Sequence, residues 1–393
     1  MKPLIIIGTG LAGYTVAREL RKLGNTTPII LMTADDGGFY SKPMLSNAFA
    51  QDKEARQLVT QSAAQMAAQL GATILTRTRV GHLDAAGKTV TAGNATFEYD
   101  RLVLALGAQP IRLALGGDAA HQVVSVNHVD DYALLRSRIA ALGRPARVAI
   151  LGAGLIGCEF ADDLAGAGHQ VTLVDPNTLP LSALAAPSLS RGLHAALSAR
   201  GVAFRCGTTA AGVDQVSAAL RVSLADGTSI DADLVLSAVG LRPDLALAQA
   251  AGLKTARGIV VDTYGQTSAP GIYALGDCAE YSDAHGSRVM PYIAPLMTAA
   301  RAIARTIHGQ PTHIDLKPAP VVVKTPSYPL ALLPPPLPAV TGGEWHTTQN
   351  GSSAICRFYD RQGIMLGFGV APQDASVRLQ LLGELGKRAQ HAA

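Results

Sequence analysis

Cysteine is scarce in this 393-residue sequence, and no two cysteines lie close together along the chain. Cys158, Cys206, Cys278 and Cys356 form no CxxC or CxxxxC pair. This spacing argues against a zinc knuckle and against a vicinal redox disulfide, because both need closely spaced thiols. It fits a reducing compartment, and we expect four buried thiols that act as small apolar side chains.

Long apolar runs and dense positive charge are also missing. Although 48% of the residues are hydrophobic, no segment approaches the ~18–20 unbroken apolar residues of a membrane span. No small-residue cleavage site follows the apolar N-terminus KPLIIIGTG, so we interpret it as a strand and expect a cytoplasmic protein. With a net charge of +4 and no densely basic stretch, nucleic-acid binding is not expected.

Histidine gives no sign of metal or hydrolytic chemistry. The ten histidines show no HxxxH spacing, and no Ser-His-Asp arrangement can be argued from the sequence. We therefore expect neither a metal site nor a hydrolytic site.

Glycine, in contrast, is abundant, and six of the glycines form a repeated motif. The apolar stretch Ile5–Ile7 is followed by GTGLAG, and Val148–Leu151 is followed by GAGLIG. Helical stretches come next, at Tyr14–Leu23 and Cys158–Ala167. A single glycine triplet can arise by chance, but two in matched strand–turn–helix contexts predict two nucleotide-binding βαβ units.

Each glycine of a G-x-G-x-x-G turn has a physical task. The first allows the tight bend, the second lets the backbone approach a pyrophosphate, and the third lets the helix pack closely on the strand. The helix N-terminus then presents N–H groups and the positive end of its dipole to the phosphates. The glycines expected in these roles are Gly8, Gly10 and Gly13 in the first unit and Gly152, Gly154 and Gly157 in the second.

A carboxylate near the end of the next strand usually binds the ribose hydroxyls of the dinucleotide. In the second unit this is Asp175, and positions 176–178 after it carry no basic residue. Since an NADP site needs a cation for the extra phosphate, Asp175 predicts NAD. In the first unit the strand Ile29–Met32 runs into TADDG, so Asp35 is the candidate and Asp36 the second choice. A turn-forming role is the alternative for either residue.

The remaining pattern predicts the fold class. Each unit ends in a similar closing strand, DRLVLALGAQP or ADLVLSAVGLRPD, and a hairpin turning at Asp226-Gly227 precedes the second. We predict an α/β protein with two Rossmann-like three-layer nucleotide-binding domains and a small α+β C-terminal domain. The later elements expected are a helix at Leu296–Ile307, strands at Val321–Lys324, Ala354–Tyr359 and Met365–Val370, and a terminal helix at Ala375–Leu385.

A third motif connects the two units to a known family. TSAPGIYALGDCAE, at Thr267–Glu280, together with the two glycine motifs resembles the two-dinucleotide-binding flavoprotein oxidoreductases. Within that class, TADDGGFYSKPMLS, GAGLIGCEFADDL, ALGDCAE and VKTP look together like the rubredoxin reductases. The resemblance implies an FAD-binding domain at residues 1–112 and 243–315, an NAD-binding domain at 113–242 and a C-terminal domain at 316–393.

The resemblance also implies which residues bind FAD and NADH. Leu106 departs from the family, which often has threonine in its first closing motif, but the backbone does the binding there. The expected cofactor-binding residues are Gly8, Thr9, Gly10, Leu11, Ala12, Gly13, Thr33, Ala34, Asp35, Lys42, Val80, Gly107, Gly152, Gly154, Gly157, Glu159, Asp175, Gly240, Gly276, Asp277, Val289 and Lys324.

Lys42 stands in the segment where disulfide reductases of this class carry their redox cysteines. The resemblance implies that Lys42 reaches the N5 edge of the flavin and pairs with Glu159, as the two catalytic residues. A cation there would stabilise the negative charge that hydride transfer develops on the flavin. Pro43 restricts the backbone at Lys42. The alternatives are a solvated loop lysine and a helix first-turn acid favoured by the dipole.

The expected function is that of an FAD-dependent NADH:rubredoxin reductase, which takes hydride from NADH and passes single electrons to rubredoxin. The alternatives are reduction of another iron protein, either a flavorubredoxin or an oxygenase ferredoxin, an NADH oxidase, and a non-catalytic flavin-binding protein. An oxidase of this class needs a reactive cysteine near Lys42, where none occurs. We expect a monomer, with Arg288, Arg301, Lys317 and Lys324 forming a basic rim for the acidic carrier.

Overall fold

The computed structural model describes residues 1–283, 286–336, 340, 342–351 and 353–389. Turns of 3-10 helix occur at Lys42–Ser46, Ala120–Gln122 and Gly276–Cys278. The α-helices of the described chain are α1 (Leu11–Lys22), α2 (Ala55–Leu58), α3 (Ala63–Leu70), α4 (Val129–Ala140), α5 (Leu155–Gly166), α6 (Pro187–Ala199), α7 (Ala246–Ala250), α8 (Ile293–Ile307) and α9 (Ala375–Glu384). Its strands are β1 (Leu4–Ile7), β2 (Ile29–Met32), β3 (Phe39–Tyr40), β4 (Val59–Gln61), β5 (Thr73–Leu75), β6 (Val80–Asp84), β7 (Thr89–Ala92), β8 (Ala95–Glu98), β9 (Arg101–Leu104), β10 (Ala108–Pro110), β11 (Arg147–Leu151), β12 (Gln170–Asp175), β13 (Ala203–Cys206), β14 (Ala210–Val216), β15 (Ala219–Leu224), β16 (Ser229–Ala232), β17 (Leu234–Ser237), β18 (Leu241–Pro243), β19 (Ile259–Val260), β20 (Ile272–Ala274), β21 (Ala279–Asp283), β22 (Gly286–Val289), β23 (Val321–Val323), β24 (Leu330–Leu333), β25 (Glu344–Asn350), β26 (Ser353–Tyr359) and β27 (Met365–Ala371).

Two compact units divide the chain. The first consists of Met1–Ser41, Gln57–Gln109 and Leu241–Lys317. The second consists of Lys42–Arg56, Pro110–Gly240 and the chain from Pro318 onwards. The segment Lys42–Arg56 therefore belongs to the second unit, although the chain on either side of it belongs to the first. The predicted division at residues 112, 242 and 315 stays a proposal.

In the first unit a parallel sheet runs in the order β20-β9-β1-β2-β5. The four residues of β1, LIII, are all buried between β9 and β2, as is typical of a parallel strand that is covered on both faces. Helices α1 and α8 and the antiparallel meander β6-β7-β8 share the core of this sheet. The carboxyl ends of β1, β2, β9 and β20 lie along one edge of the sheet.

The second unit repeats this arrangement. Its parallel sheet has the order β13-β12-β11-β17, and the meander β14-β15-β16 shares a buried apolar core with this sheet that includes Ala149, Val213 and Val222. The predicted hairpin is confirmed: Asp226 Oδ1 accepts hydrogen bonds from the backbone N and Oγ1 of Thr228 between β15 and β16. The sheet and the meander that packs on it are thus built from three successive parts of the chain: β11–β13, β14–β16 and β17.

The C-terminal part of the second unit is a five-stranded antiparallel sheet in the order β23-β24-β27-β26-β25, with α9 packed on it. Phe368 and Leu381 are fully buried in its small core. Asp374 begins α9 by accepting hydrogen bonds from the backbone N of Ser376 and Val377. The predicted fold class, two Rossmann-like units and a small α+β part, is confirmed.

Helices α1, α5 and α8 begin three residues earlier than the sequence predicted. In α1 and α5 the residues between the second and third glycines are already helical, so the glycine turn supplies the first turn of the helix. In α8 the residue Pro295 lies in the first turn. Proline is tolerated there because the first N–H groups of a helix have no partner within the helix.

Candidate active site

The first glycine turn has the geometry that a pyrophosphate requires. Gly8 has φ +112°, and a Cβ at Gly8 would overlap the carbonyl oxygen of Ala105. A Cβ at Gly13 would overlap the carbonyl oxygen of Gly8, so the third glycine is needed for the close packing of helix on turn. A Cβ at Gly10 would meet no atom of the described chain within 4 Å. The space in front of the α1 N-terminus is therefore open, and the turn fits a dinucleotide.

Asp35 lies beside this turn, after the end of β2. Its Oδ1 accepts hydrogen bonds from Thr33 Oγ1 at 2.6 Å, from Gly37 N at 2.9 Å and from Thr9 Oγ1 at 3.4 Å. The structure thus brings together three predicted residues, Thr9, Thr33 and Asp35, with Ala34 exposed next to them. Their contact with a ribose stays a prediction.

The other residues predicted for FAD lie on neighbouring elements of the first unit. Gly107 follows β9 with φ +71°, and Gly276 follows β20 with φ +74°. A Cβ at Gly276 would stand 3.4 Å from the Cβ of Ala12, so Gly276 lies directly beside α1, with Asp277 after it in a 3-10 turn. Val80 is the first residue of β6 and Val289 is the last residue of β22.

The second glycine turn repeats the first. Gly152 has φ +102°, and a Cβ there would stand 2.7 Å from the carbonyl oxygen of Ala238. A Cβ at Gly157 would overlap the carbonyl oxygen of Gly152, whereas a Cβ at Gly154 would meet no described atom within 4 Å. Gly240 follows β17 with φ +107°. The α5 N-terminus is therefore equally open to a pyrophosphate.

Asp175 ends β12 and ties this turn to the loop that follows. Its Oδ2 accepts a hydrogen bond from Ala153 N at 2.7 Å, and its Oδ1 accepts from the backbone and side-chain nitrogens of Asn177 at 2.8 and 2.9 Å. The carboxylate is thus held at the glycine turn, where a ribose bound there would meet it. Asp175 is 8% exposed.

Glu159, in the second turn of α5, is the centre of a buried polar cluster. It is 3% exposed. Ser46 Oγ donates to its Oε2 at 2.5 Å, and the backbone N of Lys324 donates to its Oε1 at 3.0 Å. Lys324 Nζ forms an ion pair with Oε2. A buried carboxylate is costly unless it is paired and hydrogen-bonded, and Glu159 meets both conditions.

The prediction that Lys42 pairs with Glu159 is wrong: the structure gives this place to Lys324. Lys42 is exposed, and its Nζ donates to Asn127 Oδ1 at 3.2 Å. Lys42 and Ser46 lie four positions apart in the same 3-10 helix. Because this helix has three residues per turn, their side chains point to different sides. Ser46 therefore contacts Glu159 while Lys42 lies on another face.

Of the four residues of the predicted basic rim, Lys324 forms an ion pair with Glu159, and its part in partner binding stays a prediction. Lys317 Nζ stands 3.6 Å from an Asp315 carboxylate oxygen. Arg301 lines a groove of about 270 Å³ that includes Lys22 of α1. The role of Arg288, Arg301 and Lys317 in partner binding stays a prediction.

Sequence reasoning missed three residues that contact this region: Ser46, Asp162 and Asp163. A signal was present, because Glu159, Asp162 and Asp163 have the i, i+3, i+4 spacing of one helix face, and all three are buried. Acids that share the buried face of a helix need partners, and this need is the signal that could have pointed to the polar cluster.

No three His, Cys, Asp or Glu side chains within the described ranges are grouped as a metal site would need. Among the helices that the structure describes, none combines the length and apolarity that a membrane crossing requires.

Comparison with known proteins identifies the family. Residues 2–304 match the family model for pyridine nucleotide-disulphide oxidoreductases, and residues 313–385 match that for a rubredoxin-binding C-terminal domain. A rubredoxin-NAD(+) reductase of Alcanivorax borkumensis is 41% identical over 98% of this chain and 99% of its own length. A nitric oxide reductase FlRd-NAD(+) reductase of Aeromonas hydrophila is 38% identical, covering 98% of this chain and 96% of that one.

A solved structure agrees with these sequence matches. The covalent putidaredoxin reductase–putidaredoxin complex superimposes with a TM-score of 0.87 at 25% identity, over 98% of this chain and 94% of that one. The chain therefore belongs to the pyridine nucleotide-disulphide oxidoreductases, within the rubredoxin reductase family, and is an oxidoreductase that uses FAD and NADH.

Proposed function

We propose that this protein transfers electrons from NADH through FAD to rubredoxin. The observation that carries the proposal is the continuous match of the chain to relatives named rubredoxin-NAD(+) reductase, together with the rubredoxin-binding domain model at residues 313–385. When bound, FAD supplies the chemistry of accepting a hydride and releasing its electrons one at a time. The absence of a dithiol near Lys42 supports electron exit without a protein disulfide.

The residues of the chain have distinct tasks in this proposal. The N-termini of α1 and α5 hold the two pyrophosphates, and Asp35 and Asp175 hold ribose hydroxyls. Lys324 supplies a fixed cation, because Glu159 and the backbone around it leave its ammonium little freedom. Such a preorganised charge stabilises negative charge as it develops during hydride transfer. Lys42 supplies a second, more exposed cation in the same unit.

A second candidate acceptor is supported by a specific observation. Relatives named nitric oxide reductase FlRd-NAD(+) reductase match this chain at 38–39% identity over 98% of its length, nearly as well as the rubredoxin-NAD(+) reductases. A flavorubredoxin is therefore the alternative acceptor.

The deciding experiment is steady-state reduction of purified acceptors with NADH. We expect rapid reduction of rubredoxin, with kcat/KM at least about tenfold above that for a flavorubredoxin, or about 1.4 kcal/mol. A [2Fe–2S] ferredoxin serves as the control. Equal rates with ferredoxin and rubredoxin would contradict the proposed partner, while bleaching of the flavin by NADH would still identify an NADH-dependent flavoenzyme.

An ionic-strength series tests how the acidic carrier docks. If basic residues steer it, the second-order rate of rubredoxin reduction falls steeply with salt, since the Debye length is ~8–10 Å near physiological ionic strength. Charge reversal at Arg288 should flatten that slope without changing flavin reduction by NADH. A rate independent of salt would mean that apolar contacts guide docking.

We propose the cytoplasm as the location, because the four cysteines are free thiols.

A further inference from the structure

The buried face of α5 holds two separate segments of the second unit. Glu159, Asp162 and Asp163 are 3%, 0% and 4% exposed. Each carboxylate accepts hydrogen bonds from a different set of donors, and apart from Arg200, directly after α6, these donors belong to the two segments that carry Lys42 and Lys324. The helix that begins at the second glycine turn is therefore also the support for both lysine-bearing segments.

Asp163 supports the segment that starts with Lys42. Its Oδ2 accepts a hydrogen bond from Phe49 N at 2.8 Å, and its Oδ1 accepts from Ala50 N at 2.9 Å. Burial raises the pKa of the Asp163 carboxyl, and the N–H groups of Ala50 and Phe49 oppose that rise. With both oxygens bound to backbone, the middle of the segment cannot shift without losing a charged hydrogen bond.

Asp162 supports the segment that carries Lys324. Its Oδ2 accepts a hydrogen bond from Ser327 N at 2.9 Å, and its Oδ1 accepts from an Arg200 guanidinium nitrogen at 3.0 Å. Ser327 follows Lys324 by three residues, so the chain is held on α5 at both places. Asn47 Nδ2 also donates to the carbonyl oxygen of Lys324 at 2.8 Å.

We propose that Asp162 and Asp163 are positioning residues for hydride transfer, with Asp163 setting the place of the Lys42 segment and Asp162 that of the Lys324 segment. This inference rests on the proposed function, in which these lysines stabilise developing charge. Misplacement of a catalytic group by about 1 Å can cost about 100-fold in rate. Loosening either anchor should therefore slow the chemical step while leaving NADH binding intact.

The test compares D162N and D163N with D233N as a matched control. Asp233 is also a buried acid of the second unit that accepts from one backbone N–H, that of Arg147, and from arginine side chains, and it supports neither lysine. An asparagine cannot accept at both side-chain atoms, so at least one N–H loses its partner in each variant. All three should lose stability, and D233N alone should keep the rate of flavin reduction.

The measurements are anaerobic stopped-flow reduction of the bound flavin by NADH, NADH affinity, and hydrogen exchange of the purified holoenzyme. We expect D163N to speed amide exchange at Phe49 and Ala50 and D162N to speed it at Ser327. Flavin reduction at saturating NADH should slow about tenfold or more in each, with unchanged NADH affinity. If D163N does not fold, D163E keeps two acceptor oxygens but displaces the segment, and should show the same slow step.

Double-mutant cycles separate positioning from general destabilisation. The effect of D163N on the rate should shrink in a K42A background, and that of D162N should shrink in a K324A background. Both effects should shrink less in the crossed pairs, D163N with K324A and D162N with K42A. Full additivity, or rates as high as in D233N, would overturn the inference. Because flavin reduction is measured without rubredoxin, an enzyme that NADH reduces but that fails with rubredoxin would refute the proposed partner and leave this inference standing.

Discussion

The two glycine turns of this protein are near copies of each other, but the helices that they begin are used differently. In both turns a Cβ on the second glycine would enter open space, and a Cβ on the third would overlap the carbonyl oxygen of the first. In both, a carboxylate at the end of the next strand lies beside the turn. The glycine motif therefore accounts equally well for the phosphate-binding turn of each unit. We call these turns the first and the second cradle.

The two helices differ in residues that are not part of the glycine motif. α1 carries Thr15, Arg18 and Glu19 at the positions where α5 carries Glu159, Asp162 and Asp163. Thr15 Oγ1 donates to the carbonyl oxygen of Leu11 in its own helix at 2.6 Å, and Glu19 pairs with Lys22 one turn later. The α5 acids instead accept from distant parts of the chain. Arg18 of α1 also reaches other elements, through Gln61 Oε1 at 3.1 Å and the Phe39 ring, so the difference is that α5 holds its partners with three buried carboxylates.

Replacing Lys324 by methionine should produce the largest effect. Glu159 would keep its burial and lose its cation, which should reduce the free energy of unfolding by about 3 kcal/mol, measured by denaturant titration. We also expect flavin reduction by NADH to slow on the order of 100-fold, because the proposed function assigns this fixed cation to the stabilisation of developing charge.

Two variants control this result. T15V changes the equivalent position of α1 and should cost only about 1 kcal/mol, since only neutral hydrogen bonds, to Leu11 O and Met297 Sδ, are lost. In the K324M background, adding E159Q should recover part of the lost stability, because the uncompensated charge is removed. Equal losses for T15V and K324M would contradict the distinction between the two helices.

The sequence predicted the elements of the fold more reliably than the contacts of the site. Strand β2 lies where its apolar run placed it, and the Asp226-Gly227 hairpin formed as expected, because both are determined by local patterns. The predicted partner of Glu159 was wrong. The observed partner, Lys324, comes from a strand end far along the chain, and no sequence spacing links it to Glu159. The buried acids of α5 had a local signal, but their partners did not.

Coenzyme preference should depend on the second cradle alone. We expect kcat/KM for NADH to exceed that for NADPH by about two powers of ten, since a carboxylate facing the extra phosphate costs on the order of 2–3 kcal/mol. D175N should narrow the ratio, whereas D35N should leave it unchanged and weaken FAD retention. Comparable kcat/KM values for the two coenzymes in the wild type would refute the role of Asp175.

Alanine at the second glycine of each turn should separate the two cofactors. G10A should weaken FAD retention, and G154A should raise the KM for NADH, each by about 10- to 100-fold or about 1.4–2.8 kcal/mol. Both variants should fold, because the added methyl group enters open space. G13A and G157A should instead fail to fold, because the methyl group would overlap a carbonyl oxygen. A G10A variant with normal FAD content would contradict the assignment of the first cradle.

The smallest effect is expected from removing every cysteine. Each unit has a cysteine next to its cradle, Cys278 in the first and Cys158 in the second, and each Sγ donates to a backbone carbonyl at 3.3 Å. Burial raises the pKa of Cys278 to about 11 and also raises that of Cys158. Since the thiolate is the reactive form, neither thiol should take part in electron transfer at neutral pH.

A variant with all four cysteines replaced by alanine should therefore keep most of its NADH-to-acceptor turnover. The packing loss should amount to about 1–3 kcal/mol at each buried site, visible in the free energy of unfolding. Stopped-flow reoxidation of the prereduced flavin by rubredoxin isolates the step that a dithiol would serve. If a well-folded variant lost this step, a thiol in one of the two units would carry electrons, and electron exit without a protein disulfide would be refuted.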